Sequence, residues 1–450
     1  MPYVPHSDDD VRRALAAIGV GDPEALFDDL PEALRDPPIA LPAALDEVTL
    51  LGRVRALAAR DQTNGPDFLG GGVRHHFIPT VTPHLAFQSE FVTAYTPYQP
   101  EVSQGVLQAT FEFQSMMCEL TGLPVSNASL YDGASSVAEA ALLAVRQTHR
   151  EKVLVSRGVH PETIEVLQTY LWPLGIELVT IELEALTTPV QRLGDDVACL
   201  IVQNPSFVGT LEPMAALSEA AHAAGALLVA AVDPLSLAVV TSPGEYGADI
   251  AVGDGQTIGN PVGFGGPSFG FMVVTEPLLR QLPGRLVGQT SDVDGRRAFV
   301  LTLQAREQHI RRSKAKSNIC SNHQLTALMA TINLAALGPQ GLREMAEASV
   351  RRAHQLAYAL RSAGGEVLSG ARFFNEFVLR IDREPATLRR QLSERGIRAG
   401  VPVPAAFGVG HAVTVTATEL TSQDDIAALV HALQELGVLT GARRRSEVPA

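Results

Sequence analysis

Hydrophobic and polar positions follow three different rhythms along the chain. Through the first sixty residues the spacing is helical. Asp8–Ile18 follows Ser7, a residue suited to cap free N–H groups. Asp8, Asp9 and Asp10 fill the first turn, where negative charge suits the helix dipole. Gly19 and Gly21 end this helix, and a second, short one is predicted near Pro23–Leu30. A longer one covers Ala43–Arg60, where Leu45, Val48, Leu51 and Val54 recur at helical spacing. Asn64–Pro83 is polar and glycine-rich, with Gly70, Gly71 and Gly72, and reads as a loop of a length that is often functional. A helix beginning near Glu101 continues through Phe111–Leu120.

From about Val125 the rhythm changes. Apolar runs of strand length occur at Lys152–Ser156, Glu177–Ile181, Ala198–Gln203, Leu227–Val232, Asp249–Val252 and Phe269–Val274. Helical segments at Ser135–His149, Pro161–Leu174 and Pro213–Ala224 separate them. Near-continuous apolar strands between helices mean βαβ units and a mainly parallel sheet covered on both faces. After about residue 325 two long helices (Asn322–Leu337, Gly341–Ala363) precede a strand (Phe374–Ile381) and a helix (Thr387–Arg395). A strand (Ala412–Ala417) and a last helix (Gln423–Leu436) close a small α/β domain, and the tail Gly441–Ala450 reads as frayed. The expected organisation is a helical N-terminal segment with interface loops over 1–120, a large α/β domain over 121–325 and a small one over 326–450.

Composition narrows the class. At 450 residues the chain is too long for one ordinary domain, and 46% hydrophobic residues can build a sizeable core. A net charge of −14 argues against nucleic acid or an anionic membrane surface as partner. No run of about 18 apolar residues predicts a membrane span. Met1–Asp10 is polar and acidic, unlike a secretory signal, so the cytoplasm is the expected location. Cys118, Cys199 and Cys320 have neither disulfide-framework nor zinc spacing. His75, His76 and His84 have no fourth ligand at metal spacing and read as polar loop residues; no metal is expected. Met116 and Met117 read as core. Of 35 basic residues only Lys152, Lys314 and Lys316 are lysines, so any lysine-dependent chemistry has three candidates.

In an open parallel sheet ligands sit beyond the carboxyl ends of the strands. Four segments fall there: Tyr131-Asp132-Gly133-Ala134-Ser135-Ser136, Asn204-Pro205-Ser206, Val232-Asp233-Pro234, and Gly253-Asp254-Gly255-Gln256-Thr257, which closes at Gly265-Gly266-Pro267. The first offers a phosphate seat at a helix start, or simply an N-cap. Together they resemble the large domain of aspartate-aminotransferase-type pyridoxal phosphate enzymes. That architecture needs a phosphate cup, a carboxylate against the pyridine nitrogen and a Schiff-base lysine.

Longer stretches are more specific. They are Ala94-Tyr95-Thr96-Pro97-Tyr98-Gln99-Pro100-Glu101-Val102-Ser103-Gln104-Gly105, Asn127-Ala128-Ser129-Leu130-Tyr131-Asp132-Gly133 and Pro283-Gly284-Arg285-Leu286-Val287-Gly288-Gln289-Thr290. Ala305–Arg312 and Lys316-Ser317-Asn318-Ile319-Cys320-Ser321-Asn322 continue the series. Over nearly its whole length the chain resembles the glycine cleavage P-protein, glycine dehydrogenase (aminomethyl-transferring, decarboxylating). The resemblance implies an aminotransferase-like fold (pyridoxal phosphate-dependent transferase fold type I). It also implies a protein that occurs either as one chain of about twice this length or as two half-length subunits. In that family only the second half carries the lysine, in a His-Lys-Thr sequence with a proline five residues on and a Gly-Gly-Pro ending eleven residues on. Counting back from Pro267 through Pro261 puts Gln256 at the lysine position, with Thr257 after it. An amide nitrogen forms no imine. Length and Gln256 together make the chain resemble subunit 1 of the split form.

The resemblance then implies the following. Pyridoxal phosphate belongs to a lysine-bearing subunit 2, in an α2β2 assembly that decarboxylates glycine and passes the aminomethyl group to the lipoyl arm of H-protein. No cofactor is covalently bound here, and no catalytic residue is expected in this chain alone. Ser135, Ser136, His160 and Asp233 are vestigial cofactor-site candidates. Asp233 could equally be a turn aspartate before Pro234, and His160 a helix-start residue before Pro161. Tyr95, Thr96, Tyr98, Gln99 and Glu101 form a rigid turn that either reaches the partner's active site or packs structurally. Lys152 precedes a strand, at the wrong edge of the sheet. Lys314 and Lys316 lie in a basic stretch with Arg306, Arg311 and Arg312 that suits a solvated face, a subunit contact or the approach of an anionic carrier. Two other functions remain open: a stand-alone regulatory protein holding pyridoxal phosphate or an amino acid non-covalently, and an active lyase using Lys314 or Lys316.

Overall fold

A computed structural model describes residues 5–35, 37–61, 64–93, 95–306 and 308–439; the tail Gly441–Ala450 lies outside the described residues. The chain divides into two compact units, residues 1–63 and 64–450. The stretch 64–120, which the sequence grouped with the N-terminal helices, therefore belongs with the rest.

In the first unit the helix Asp8–Ile18 starts at Ser7, whose side chain accepts from the Asp10 N–H while the Asp10 carboxylate accepts from the Ser7 N–H. It stops at Gly19, at φ 90°. Glu47–Ala58 is shorter than Ala43–Arg60 because Asp46 caps it: its carboxylate accepts from the Thr49 N–H at 2.9 Å. Its Val48, Leu50, Leu51, Val54 and Leu57 are all exposed.

The second unit is built on a seven-stranded sheet. In spatial order the strands are Val125–Ser126, Gly270–Val274, Ile250–Asp254, Leu227–Val232, Val197–Asn204, Lys152–Ser156 and Glu177–Ile181. The last five run parallel; Gly270–Val274 and Val125–Ser126 pair antiparallel at one edge. Every strand read from the apolar runs is present. Successive residues point to opposite faces. Leu200, Val202, Leu228 and Ala230 join a core under the helices Gln104–Thr121 and Met214–Ala223, whereas Cys199, Ile201, Val229 and Ala231 join one under Gly133–Thr148 and Pro161–Leu171. Both faces are buried, which is why these strands show no polar alternation. Full burial of one Leu, Ile or Val is worth about 1.5–3 kcal/mol over exposure, so two-sided packing holds this sheet together.

An antiparallel hairpin, Val287–Ser291 with Arg297–Leu301, has no counterpart in the apolar runs. Its first strand ends in the exposed Gln289, Thr290 and Ser291, and only the short run Ala298–Leu301 marks its second. The two helices read after residue 325 meet end to end within Gln324–Ser362. Gly338 sits there at φ 64°, ψ 176°, just before Pro339, and breaks the helical path. By length and composition alone this stretch passes for a membrane span, although it holds no unbroken apolar run of about 18 residues. Its apolar residues serve soluble-type cores instead: Ala330, Leu334 and Met345 pack on the large sheet, and Ala353, Leu356 and Leu360 on the small one.

The small sheet is antiparallel, in the order Glu366–Val367, Glu376–Arg380, Ala412–Thr416 and Val401–Pro402. One face packs on Pro385–Ser393 and Gln423–Glu435; the other meets Phe207 and Val208, which follow the strand Val197–Asn204. The two lobes touch closely here. Gly209 has φ 80°, and a Cβ on it would collide with the Glu376 carbonyl. Asp67–Phe68 pairs in parallel with Arg398–Ala399, tying the segment after residue 64 to the small lobe.

Glu212 lies beside this seam. Its N–H donates to Asn204 Oδ1 (3.0 Å), and its carboxylate accepts from the Thr188 N–H (2.8 Å). Burial pushes its pKa up to about 7 from 4.5. A carboxyl raised in the folded state contributes stability below the unfolded value, and that stability is lost as pH rises toward the folded value. We expect Glu212→Gln to leave thermal stability unchanged at pH 4.5 and below and to raise it at pH 8. The gain is at most about 3 kcal/mol, read from unfolding midpoints at the two pH values.

Candidate functional site

A cavity of about 380 Å³ opens beyond the carboxyl ends of the parallel strands. Strand ends and helix starts place its charged residues. Asp132 caps Gly133–Thr148, accepting from the Ser135 N–H at 2.7 Å, and the Ser136 hydroxyl donates to the Asp132 carbonyl at 2.7 Å. Asp254 ends the strand Ile250–Asp254. Its carboxylate accepts from the Gly133 N–H (3.2 Å), the Gln256 N–H (2.9 Å) and the Ser268 hydroxyl (2.5 Å). Burial is the largest influence on Asp254 and pushes its pKa up.

Asp233 follows the strand Leu227–Val232. It is at once a turn residue and a charge partner. Oδ1 accepts from the Leu235 N–H (3.0 Å) and the Thr257 hydroxyl (2.6 Å), and Oδ2 lies 3.2 Å from Arg74 Nη1. Arg74 Nη2 lies 2.5 Å from Glu376 Oε2 on the small sheet. Burial alone would lower the Arg74 pKa. The facing carboxylates of Glu376 and Asp233 outweigh it and hold the guanidinium above its usual value. Glu376 Oε1 also accepts from the Gly71 N–H at 2.7 Å.

Gln256 is 5% exposed and pairs with the peptide group of Arg74. Its Oε1 accepts from the Arg74 N–H (3.0 Å), and its Nε2 donates to the Arg74 carbonyl (2.9 Å) and the Asn260 carbonyl (2.9 Å). His160 caps Pro161–Leu171: Nδ1 accepts from the Glu162 N–H at 3.3 Å. The proton therefore sits on Nε2, which donates to the Gly71 carbonyl at 2.8 Å.

The structure thus gathers Ser135, His160, Asp233 and Gln256 around one cavity. Ser136 is fully buried and does not line it. Tyr95, Thr96, Tyr98, Gln99 and Glu101 do not line it either. Tyr95 and Tyr98 stand 79% and 51% exposed, and the Tyr98 hydroxyl accepts from Arg285 at 3.3 Å. Lys152, Lys314 and Lys316 are absent from the lining; Lys152 pairs with Asp196 at 3.3 Å. His75 faces Asp67, and His76 faces Glu419. Arg74 and Glu376 were not foreseen from the sequence, and Asp254 was placed at a strand end without a role. The run Gly70-Gly71-Gly72 just before Arg74 was the available signal.

Three comparisons bear on this arrangement. The family model described as glycine cleavage system P-protein matches residues 1–433. The chain belongs to the glycine cleavage system P-protein family. It is 48% identical over 443 residues to the probable glycine dehydrogenase (decarboxylating) subunit 1 of Geotalea daltonii, covering 96% of this chain and 99% of that one. The counterpart from Moorella thermoacetica is 49% identical over 442 residues, with the same coverage. A crystal structure of glycine decarboxylase (P-protein) of the glycine cleavage system, in inhibitor-bound form, superposes with a TM-score of 0.88. It is 53% identical and covers 97% of this chain and 100% of that one. At 12% identity and a TM-score of 0.66, Lactobacillus brevis glutamate decarboxylase shows the shared α/β fold, with coverage of 95% and 98%. The expected fold class, that of pyridoxal phosphate-dependent fold type I enzymes, holds for this P-protein chain.

The residues of this pocket do not fit a bound pyridoxal phosphate. Gln256, with both ends of its carboxamide hydrogen-bonded, offers no amine to the cavity. Arg74 already neutralises Asp233, and Asp254 takes the first amide of the helix Gly133–Thr148. The edge of the His160 ring abuts Gly72, where a Cβ would lie 3.1 Å from Cδ2. The Ser135 N–H, the Ser136 hydroxyl, His160 and Asp233 all have partners within the chain. We expect Gln256→Leu to leave the Arg74 N–H and carbonyl without these partners and to cost about 2–4 kcal/mol, read as a lowered midpoint in denaturant titration.

Proposed function

We propose that this chain is the lysine-lacking subunit 1 of a two-subunit glycine dehydrogenase (decarboxylating), assembled as α2β2 in the cytoplasm. One observation supports the reading: the residue that the family resemblance sets against the Schiff-base lysine is Gln256, tied by its carboxamide to Arg74, and none of Lys152, Lys314 and Lys316 lines the cavity. The names of the relatives point to the same activity. Glycine and pyridoxal phosphate bind on a lysine-bearing subunit 2, where the cofactor acts as electron sink for decarboxylation. The aminomethyl group then passes to the lipoyl arm of H-protein.

This chain's contribution is structural and positional. It forms one half of the paired fold and presents side chains toward the other half. Tyr95, Thr96, Tyr98, Gln99 and Glu101 reach the partner's active site in this reading, which the exposure of Tyr95, Tyr98, Gln99 and Glu101 and the anchoring of Tyr98 on Arg285 support. Arg311, Arg312 and Lys314 are exposed and offer positive charge to an anionic carrier. A stand-alone regulatory protein holding the cofactor is disfavoured by the internal partners of Asp233 and Asp254.

The purified chain, the lysine-bearing subunit and their mixture are compared for glycine–bicarbonate exchange with pyridoxal phosphate present. Activity is expected only in the mixture. Activity of this chain alone, or full-rate activity of the partner alone, overturns the proposal. We further expect Tyr95→Ala to lower the exchange rate of the mixture by about tenfold or more while shifting this chain's own stability by less than about 0.5 kcal/mol.

A further inference from the structure

Gly71–Arg74 forms part of the cavity wall, and Gly70 leads into it. Each of the three glycines is confined. A Cβ on Gly70 would overlap the side chains of Thr416 and Glu376. On Gly71, at φ 71°, it would lie 2.9 Å from Val401 Cγ1, and on Gly72, at φ 107°, 3.1 Å from His160 Cδ2. Only a run without side chains passes between the two lobes here. It delivers Arg74 to a place bounded by Asp233 on the large sheet and Glu376 on the small one.

The charges in this place match those of the group that related folds hold there. Against Asp233 such a group puts a protonated ring nitrogen; here the guanidinium of Arg74 takes that carboxylate. At the helix start Gly133–Thr148 it puts a phosphate; here the carboxyl of Asp254 takes the Gly133 N–H. A phosphate dianion brought to this seat would face both Asp254 and Asp132. The backbone of the segment is fixed as firmly as its charge. Gln256 reads the Arg74 peptide from both sides, the Glu376 carboxylate takes the Gly71 N–H, and His160 takes the Gly71 carbonyl.

We propose that Gly70–Arg74 is a built-in occupant of the cofactor-type pocket. Arg74 stands in for the ring cation and Asp254 for the phosphate, and the segment clamps the large lobe to the small lobe and bars pyridoxal phosphate even when a lysine is restored. The proposal rests on contacts within this chain and holds whether or not the chain serves glycine decarboxylation. It separates a chain that has merely lost a lysine from one whose pocket has been refilled. In the first case the lysine alone restores the site. In the second it does not, because an ammonium group cannot accept from the Arg74 N–H and would add a second cation beside the guanidinium.

The test uses the full chain and three variants. Gln256→Lys is incubated with pyridoxal phosphate, reduced with borohydride and weighed intact; no adduct is expected. Arg74→Met keeps the length of the side chain and removes its charge, leaving Asp233 and Glu376 buried without a cation. Its melting midpoint is expected to fall by several degrees, with amide exchange in Glu376–Arg380 faster by about tenfold or more. Arg74→Met combined with Asp233→Asn and Glu376→Gln is expected to recover most of that loss, because the stranded charges are gone. A role in packing alone predicts no such recovery. A stoichiometric adduct on Gln256→Lys overturns the proposal, as does an Arg74→Met chain with unchanged stability and exchange, or the absence of recovery in the triple variant.

Discussion

The site depends on one buried pairing: the carboxamide of Gln256 against the peptide group of Arg74, with the guanidinium of the same residue held between Asp233 and Glu376. A carboxamide both donates and accepts in a fixed plane, as a peptide does, so it meets the N–H and the carbonyl of Arg74 together. Few other side chains could. A buried N–H or carbonyl left without its partner costs about 1–3 kcal/mol each, and a buried guanidinium without its carboxylates costs more. Because Asp233 belongs to the large sheet and Glu376 to the small one, the pairing also fixes how the two lobes meet.

The large sheet does not need the site. Its strands are buried on both faces by apolar side chains from two separate cores, and its helices start at ordinary caps such as Asp132 and His160. A fold stabilised this way can keep its architecture while the residues at its strand ends change. The likeness to enzymes of under 15% identity shows how far that freedom extends: the sheet persists while nearly every side chain differs. Gln256 lies just past the end of one of these strands, and Arg74 comes to it from a loop outside the sheet.

Most of this architecture was legible in the sequence. Apolar runs mark strands buried on both faces, so Leu227–Val232 and Glu177–Ile181 were read to the residue. Caps mark helix starts, so Asp8–Ile18 was too. The hairpin Val287–Ser291 with Arg297–Leu301 escaped because its first strand ends in the exposed Gln289, Thr290 and Ser291, and the short apolar run Ala298–Leu301 of the second was not read as a strand. Gln256 was singled out through its spacing to Pro261 and Pro267, and it lines the cavity. Arg74 and Glu376 were not, because they meet across 302 residues of chain and each alone is an unremarked charge. The glycine run before Arg74 recorded the crowding there without saying what crowded it.

The most direct measurement counts cofactor in the assembled complex. The two-subunit protein, saturated with pyridoxal phosphate, is reduced with borohydride, separated and weighed chain by chain. The account predicts one cofactor per pair of chains, all of it on the lysine-bearing subunit. Two per pair, or any stoichiometric adduct on the chain that carries Gln256, would contradict it.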